Sequence, residues 1–394
     1  MSEHPAGPHD GRRARRLRLP VLAGSLALAV LVIVVLYVFQ AYRGSHGDVR
    51  HQATIKIDGP PTAMGWPTSV ITLVFSPDSA TLAVATSDGK VRLISSRTGR
   101  LQKTLDIVSG FIFCVAFSPD GSLLATGHED GFVRIWELAT GQERDTFRAA
   151  RRNVWCVTFA DHGKQIVDVG SDTKETDGDK SDAIRVVHWE LATGKVAISA
   201  VVRSPAQAHY VQLSGDGRIL ATADSDYIGN VENPELWKVD VKLWDTTTGI
   251  ELATLPGFKD AVRALVFSPE GRELLTGTDR HQIRIWDVEN AMQVTEFVDK
   301  RAHETPYLVF SPFGKILAAR GRHGEAGTAR FLAADTGQEL GRIELNEFAG
   351  LDCAAFSPDG RLLATANFVI DIRDGPTPAE VKIWDCSRLT GKQR

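Results

Sequence analysis

Cysteine is scarce in this sequence. Four residues in 394 cannot build the disulfide framework on which small secreted domains rely. Strong charge is lacking too: the net value is −4 at pH 7, so the whole chain has no electrostatic bias toward nucleic acid. No HExxH, Cys/His zinc spacing, P-loop or GxSxG stands in the sequence, so the chemistries those motifs serve lack their usual carriers. The 11 histidines are scattered. No Asn-x-Ser/Thr sequon occurs, which points to a bacterial source if the chain is exported. What remains is a chain with 43% apolar residues, enough to bury a real core.

Charge is unevenly placed. Residues 1–50 carry seven Arg and three acids, a balance of 7 − 3 = +4, which leaves the rest at −8. An acidic body disfavours a phosphate-backbone partner, and no nucleic-acid partner is expected. Val21–Tyr42 reads VLAGSLALAVLVIVVLYVFQAY, without a charge. At 1.5 Å per residue such a helix spans roughly 33 Å, a bilayer core, and a run with no polar face is a poor core helix. The sequence therefore predicts a single N-terminal transmembrane signal-anchor helix at 21–42, between a basic tail at 1–20 and a linker at 43–51. Arg12, Arg13, Arg15, Arg16 and Arg18 precede the run, whereas Arg43 and Arg50 follow with Asp48. The positive-inside rule then keeps the N-terminus cytoplasmic and sends the body across, to the periplasm or cell exterior if bacterial. A cleaved signal peptide is the rival reading. The run exceeds a usual signal core, and Phe39-Gln40-Ala41 is a poor cleavage site because Phe is bulky.

The body is repetitive. Phe75-Ser76-Pro77-Asp78 returns as Phe117-Ser118-Pro119-Asp120, Phe267-Ser268-Pro269-Glu270, Phe310-Ser311-Pro312-Phe313 and Phe356-Ser357-Pro358-Asp359. Phe159-Ala160-Asp161-His162 and Leu213-Ser214-Gly215-Asp216 are weaker copies, making seven. The first three stand 42 residues apart, the length of a four-stranded propeller blade. Each copy holds an alternating strand ending at the Phe, a Pro/Asp-Gly turn, and a second strand. A third strand closes on a Trp-acid pair, at Trp136-Glu137, Trp189-Glu190, Trp244-Asp245, Trp286-Asp287 and Trp384-Asp385. A Thr-Gly turn and a short fourth strand commonly follow.

On these linked motifs the chain resembles the WD-repeat (WD40) family from about residue 52 to the end. The resemblance implies an all-β, seven-bladed β-propeller over 52–394 that serves as an interaction scaffold. Ile94-Ser95 and Leu332-Ala333 replace the Trp-acid pair in repeats one and six, and the Gly-His pair that often opens family repeats is absent. Asp88, Asp130, Asp172, Asp226 and Asp279 match the family's structural Asp between strands two and three. Repeat six has no Asp there and repeat seven has Asn367, so that network is incomplete and stability should rest mainly on burial between blades. The polar tail Arg388–Arg394 makes a poor fourth strand. Gln52–Asp58 reads as an orphan strand able to complete the last blade, which would remove an open sheet edge.

Catalysis finds little support, and no cofactor or metal is expected. In the acidic run Asp172–Asp182 the Gly is not at the sixth position and no Glu closes the loop, as a calcium site would need, so it reads as a solvated loop. Cys114, Cys156 and Cys353 stand three residues before a repeat Phe, on separate blades and beyond disulfide reach; with Cys386 they read as unpaired.

Two features select one face. Insertions between strands two and three fall at Ser171–Ala183, Asp226–Asp240 and Asn367–Glu380, with a smaller one at Gly321–Thr328. Their aromatic residues Tyr227, Trp237 and Phe368 are candidate anchors. The position four residues before each repeat Phe reads Ile71, Phe113, Trp155, His209, Arg263, Pro306 and Asp352. By resemblance it lies at the channel mouth, so Phe113, Trp155, His209 and Arg263 form an aromatic-to-basic arc over four blades, extended by Trp66. The expected function is a membrane-tethered scaffold binding a protein or peptide partner on this face. The alternative is an extracytoplasmic propeller enzyme or small-ligand sensor working at the channel mouth.

Overall fold

A computed structural model describes residues 49–59, 68–107, 110–171, 183–203, 208–225, 239–299, 308–323, 326–347, 351, 353–367, 370–371, 375–376 and 379–391. All belong to the second of two compact units, His46–Arg394. The run 21–42 lies outside the described residues, among which no helix is long and apolar enough to cross a membrane.

Seven four-stranded antiparallel sheets make up this unit, with one two-stranded hairpin, Ile370–Asp371 against Gly375–Pro376. Blade two shows the plan: Ile112–Phe117, Leu123–His128, Phe132–Glu137 and Gln142–Arg148 follow one another from the innermost strand outward. The other innermost strands are Val70–Phe75, Val154–Ala160, Ala208–Leu213, Val262–Phe267, Leu308–Phe310 and Cys353–Phe356. Each touches the next, and the last touches the first. The result is an all-β, seven-bladed propeller. Its core lies between blades, as apolar clusters drawn from neighbouring sheets.

The repeat motif is a hydrogen-bonded turn. The Ser hydroxyl donates to the Asp two residues on, at 2.5 Å for Ser76–Asp78 and Ser118–Asp120 and 2.6 Å for Ser214–Asp216 and Ser357–Asp359. The same hydroxyl accepts the N–H five residues on, from Thr81, Leu123, Ile219 and Leu362. One Ser and one Asp thus satisfy backbone groups that a tight turn would otherwise leave open. The Ser bonds hold the Asp78 and Asp120 carboxyls below the usual range.

The seventh sheet is assembled from both ends of the unit. Arg50–Ile57 pairs antiparallel with Ala379–Asp385, from Arg50 opposite Asp385 to Ile57 opposite Ala379. It begins two residues before the segment read as an orphan strand. The tail after Asp385 carries a short helix, Ser387–Gly391. The N-terminal strand grips blade one as other outer strands grip their neighbours. Gln52 Nε2 donates to the carbonyls of Ser96 and Arg97 at 3.1 and 3.0 Å. Lys103 Nζ does the same to Leu138 and Ala139, at 2.8 and 2.7 Å. Gly99, at φ 67°, lies so close to this strand that an added Cβ would sit 2.9 Å from Ala53 Cβ. The turn thus requires glycine for both its dihedral and its space.

Each repeat tryptophan has a fixed partner nine residues after its repeat Phe or Leu. The indole N–H donates to Thr126 from Trp136, to Thr222 from Trp244 and to Thr276 from Trp286, each at 3.0 Å. It donates to Thr365 from Trp384 at 2.9 Å and to Asp168 from Trp189 at 2.5 Å. The blades without tryptophan hold Val84 with Ile94 and Ala319 with Leu332 at these two places. Acceptor and donor are thus present together or absent together, as burial of polar groups demands.

Gly321–Thr328 is not a loop insertion. Strands Ile316–His323 and Ala326–Ala333 stay paired through Gly321 opposite Thr328 and His323 opposite Ala326. No proline or Asp-Gly turn interrupts the ladder there, so the hairpin simply runs longer.

Candidate binding site at the channel mouth

The arc positions share a backbone feature. In blades one to five the inner ladder skips one residue: Ile71, Phe113, Trp155, His209 and Arg263. Each is the extra residue of a β-bulge, which leaves the regular pairing. The shorter inner strands of blades six and seven start at Leu308 and Cys353, and Pro306 and Asp352 lie outside the described residues.

Phe113 and Trp155 come together on a central channel of about 830 Å³. From them the channel runs between the inner strands to the repeat prolines Pro77, Pro269 and Pro358. Phe113 is exposed at 39% and its neighbour Phe111 at 43%, while Trp155 is half-buried. Among the described residues that line the channel, none is charged. They include Cys114 and Cys156, and burial pushes the Cys114 thiol well up and the Cys156 thiol to about 12. None of the four cysteines forms a disulfide.

Arg263 sits elsewhere on the rim. Its Nε and Nη2 donate to the two carboxylate oxygens of Asp279 at 2.6 and 3.1 Å. That bond, with a further one to Tyr210 of blade four, raises the Arg263 pKa. The fork fixes the guanidinium plane across two blades while leaving it about a third exposed. Asp279, one of the five matched to the structural Asp, therefore serves the rim. Asp88 and Asp130 instead bind their own third strand, pairing with Arg92 and Arg134 at 2.7 Å.

His209 occupies the bulge of blade four. Trp66, Tyr227, Trp237, Phe368, Asp172 and Asp226 lie outside the described residues. Among the described residues no cluster of three or more His, Cys, Asp or Glu could hold a metal ion. The structure adds Phe111, Tyr210 and Asp279 to the site. Phe111 had a visible sign, a second aromatic two residues before Phe113; the other two are located only by register.

Comparison with known proteins agrees with this architecture. The WD40 family model, described as WD domain, G-beta repeat, matches residues 61–95, 99–137 and 249–287, so the chain carries WD40 repeats. It is similar to a guanine nucleotide-binding protein subunit beta of Zea mays, 26% identical over 36% of this chain and 37% of that protein. It is also similar to pre-mRNA-processing factor 19 of Bos taurus, 30% identical over 38% of this chain and 28% of that protein. WD repeat-containing protein SL1-17 of Schistosoma mansoni is 36% identical over 42% of this chain and 54% of that protein. The chain thus spans little more than a third of the first of these relatives, and about half of the last.

Proposed function

We propose that this chain is a membrane-tethered interaction platform whose ring binds a protein or peptide partner at the channel mouth. The observation that carries this reading is the run of five bulges, which takes Phe113 and Trp155 out of the ladder beside the channel and Arg263 out of it elsewhere on the rim. Aromatics open to solvent and a fixed guanidinium are the residue types enriched at interface centres. The described lining offers no charged group, and thiols held protonated are poor nucleophiles, which supports reading the mouth as a binding surface. The first relative, by its printed name, is a subunit of a larger protein, which supports an assembly role.

A photo-crosslinking residue placed at Phe111 of the full-length chain in native membranes tests this. Partners captured there should be lost on Trp155→Ala or Arg263→Ala. Capture unchanged by both would sink the mouth reading. The 830 Å³ channel favours one further reading, a small apolar ligand below the mouth, which native mass spectrometry of the purified chain would reveal.

The tether and the location belong to the same proposal. Their support is the uncharged run 21–42 with five arginines before it. Cysteine labelling of intact cells with a membrane-impermeant reagent tests them. Arg97→Cys, on an exposed turn, supplies the labelled site. Labelling above that of the parent chain is expected without permeabilisation, and its absence would place the ring in the cytoplasm.

A further inference from the structure

The seven blades control for one another. Opposite the tryptophan-partner position, six carry a cation across the strand pair: Val84–Arg92, Thr126–Arg134, Thr222–Lys242, Thr276–Arg284, Ala319–Arg330 and Thr365–Lys382. Blade three inverts the arrangement. Its acceptor is an acid, Asp168, and the residue across from it is Val187. One carboxylate oxygen accepts from Trp189, while the other is buried without a hydrogen-bond partner. The residue is fully buried.

Asp168 lies in the seam between blades two and three. Trp189, its donor, stacks on Phe147 of blade two at 5.0 Å and packs among Ile135, Val133 and Ala125. Among the described residues, two charged or titratable groups face the carboxyl. From the inner strand of blade two comes the Cys114 thiol, and from its own blade Arg185, whose Nε is bonded to Ser199 at 3.3 Å. Cys156 stands beyond Cys114. A buried carboxylate without a close counter-cation is costly in apolar surroundings, whereas a neutral carboxylic acid is not.

We propose that Asp168 is a proton switch in this seam. Protonated, it packs as a neutral hydrogen-bonding group in the place where sister blades use threonine. Ionised, it puts a charge that Arg185 offsets only in part between the two blades that carry Phe113 and Trp155, loosening their packing and weakening partner capture. The effect on capture rests on the function proposed above; the switch in the seam does not.

Burial raises the Asp168 pKa to about 7, against the partial opposition of the Trp189 bond and Arg185. The unfolded chain loses the same proton near 3.8. The seam's stability is therefore undiminished below the lower value, falls as pH rises between the two, and is flat above the higher.

The test uses the full-length chain in mild detergent, with Asp168→Asn and Asp168→Thr. Asp168→Thr reproduces the partner used by four sister blades and guards against a variant that fails to fold. The difference in urea midpoint between variant and parent should be smallest at pH 4, grow up to pH 7, and level off beyond. Infrared spectra should show a buried protonated carboxyl at pH 5.5 that fades by pH 8.5 and is missing from Asp168→Asn. A pH-independent difference in midpoint, or no such band, overturns the switch. For a group titrating near 7 the protonated fraction falls about tenfold from pH 6 to pH 8, so crosslinking at Phe111 should fall by up to that factor in the parent and stay level in Asp168→Asn. Equal pH dependence in both detaches the switch from the mouth. No capture at any pH is instead a failure of the platform reading, and the midpoint and infrared results still decide the seam.

Discussion

Blades two and three share strand count, order and register, yet they solve one problem with opposite chemistry. In blade two the buried indole of Trp136 is met by the neutral Thr126, with Arg134 across the ladder. Thr126 Oγ1 also lies 2.7 Å from Nε2 of the buried His128. In blade three Trp189 is met by an acid with a valine across from it. A propeller tolerates either because its core is divided into seams, each sealed by its own apolar cluster. The difference teaches that the indole needs an acceptor, and that the acceptor's charge is a separate choice with its own pH dependence.

The comparison can be broken most severely at the indole itself. Trp136→Ala should cost roughly 3–5 kcal/mol in urea unfolding, the usual range for emptying a large aromatic site. Next is the acceptor: Thr126→Val strands a buried N–H and should cost about 1–3 kcal/mol. Combined with Trp136→Leu, copying the apolar pairing of Ala319 with Leu332 in blade six, the loss should fall below the sum of the single losses. Additive losses would show that the bond has no coupling energy. The reverse exchange, Asp168→Thr, should raise the urea midpoint at pH 8 and leave it nearly unchanged at pH 4.

A smaller effect of opposite sign is expected at His128. Burial, with help from Arg134, lowers its pKa from 6.5 to about 4. The neutral ring's contribution is therefore fully present above 6.5 and lost as pH falls toward 4. His128→Thr, the residue at the corresponding place in blades one and five, should flatten the acid side of the stability curve. Smallest of all, Arg263→Ala should cost at most about 1 kcal/mol, because its partly exposed ion pair is screened by solvent. Its larger consequence is expected in partner capture.

Much of the fold can be read in the chain because the turns demand particular atoms. A Ser hydroxyl and an Asp carboxylate tie the turn in four blades, so the motif survives repetition, and its weaker copies complete the count. The bulges leave no such mark. Their positions hold Ile71, Phe113, Trp155, His209 and Arg263, since a residue that has left the ladder is freed from the strand's pattern. Spacing from the repeat Phe located them, but only the register shows that they are extra residues. The same limit applies to Asp279, which spacing groups with Asp88 and Asp130 although it turns to Arg263 on the rim. Asp168 is ordinary in the sequence; its isolation depends on Val187 lying opposite rather than a cation.

The last sheet also imposes an order in time. Arg50–Ile57 emerges from the ribosome before every other described strand, yet its partner Ala379–Asp385 follows all the other strands of the ring. Pairing them closes a loop of more than 300 residues, and such distant contacts slow folding. Until then the early strand has an open edge, exposed to other chains while the blades are made. The final pairing is thus a late checkpoint: a chain stopped before Ala379 would contain most of the blades and still be unable to close.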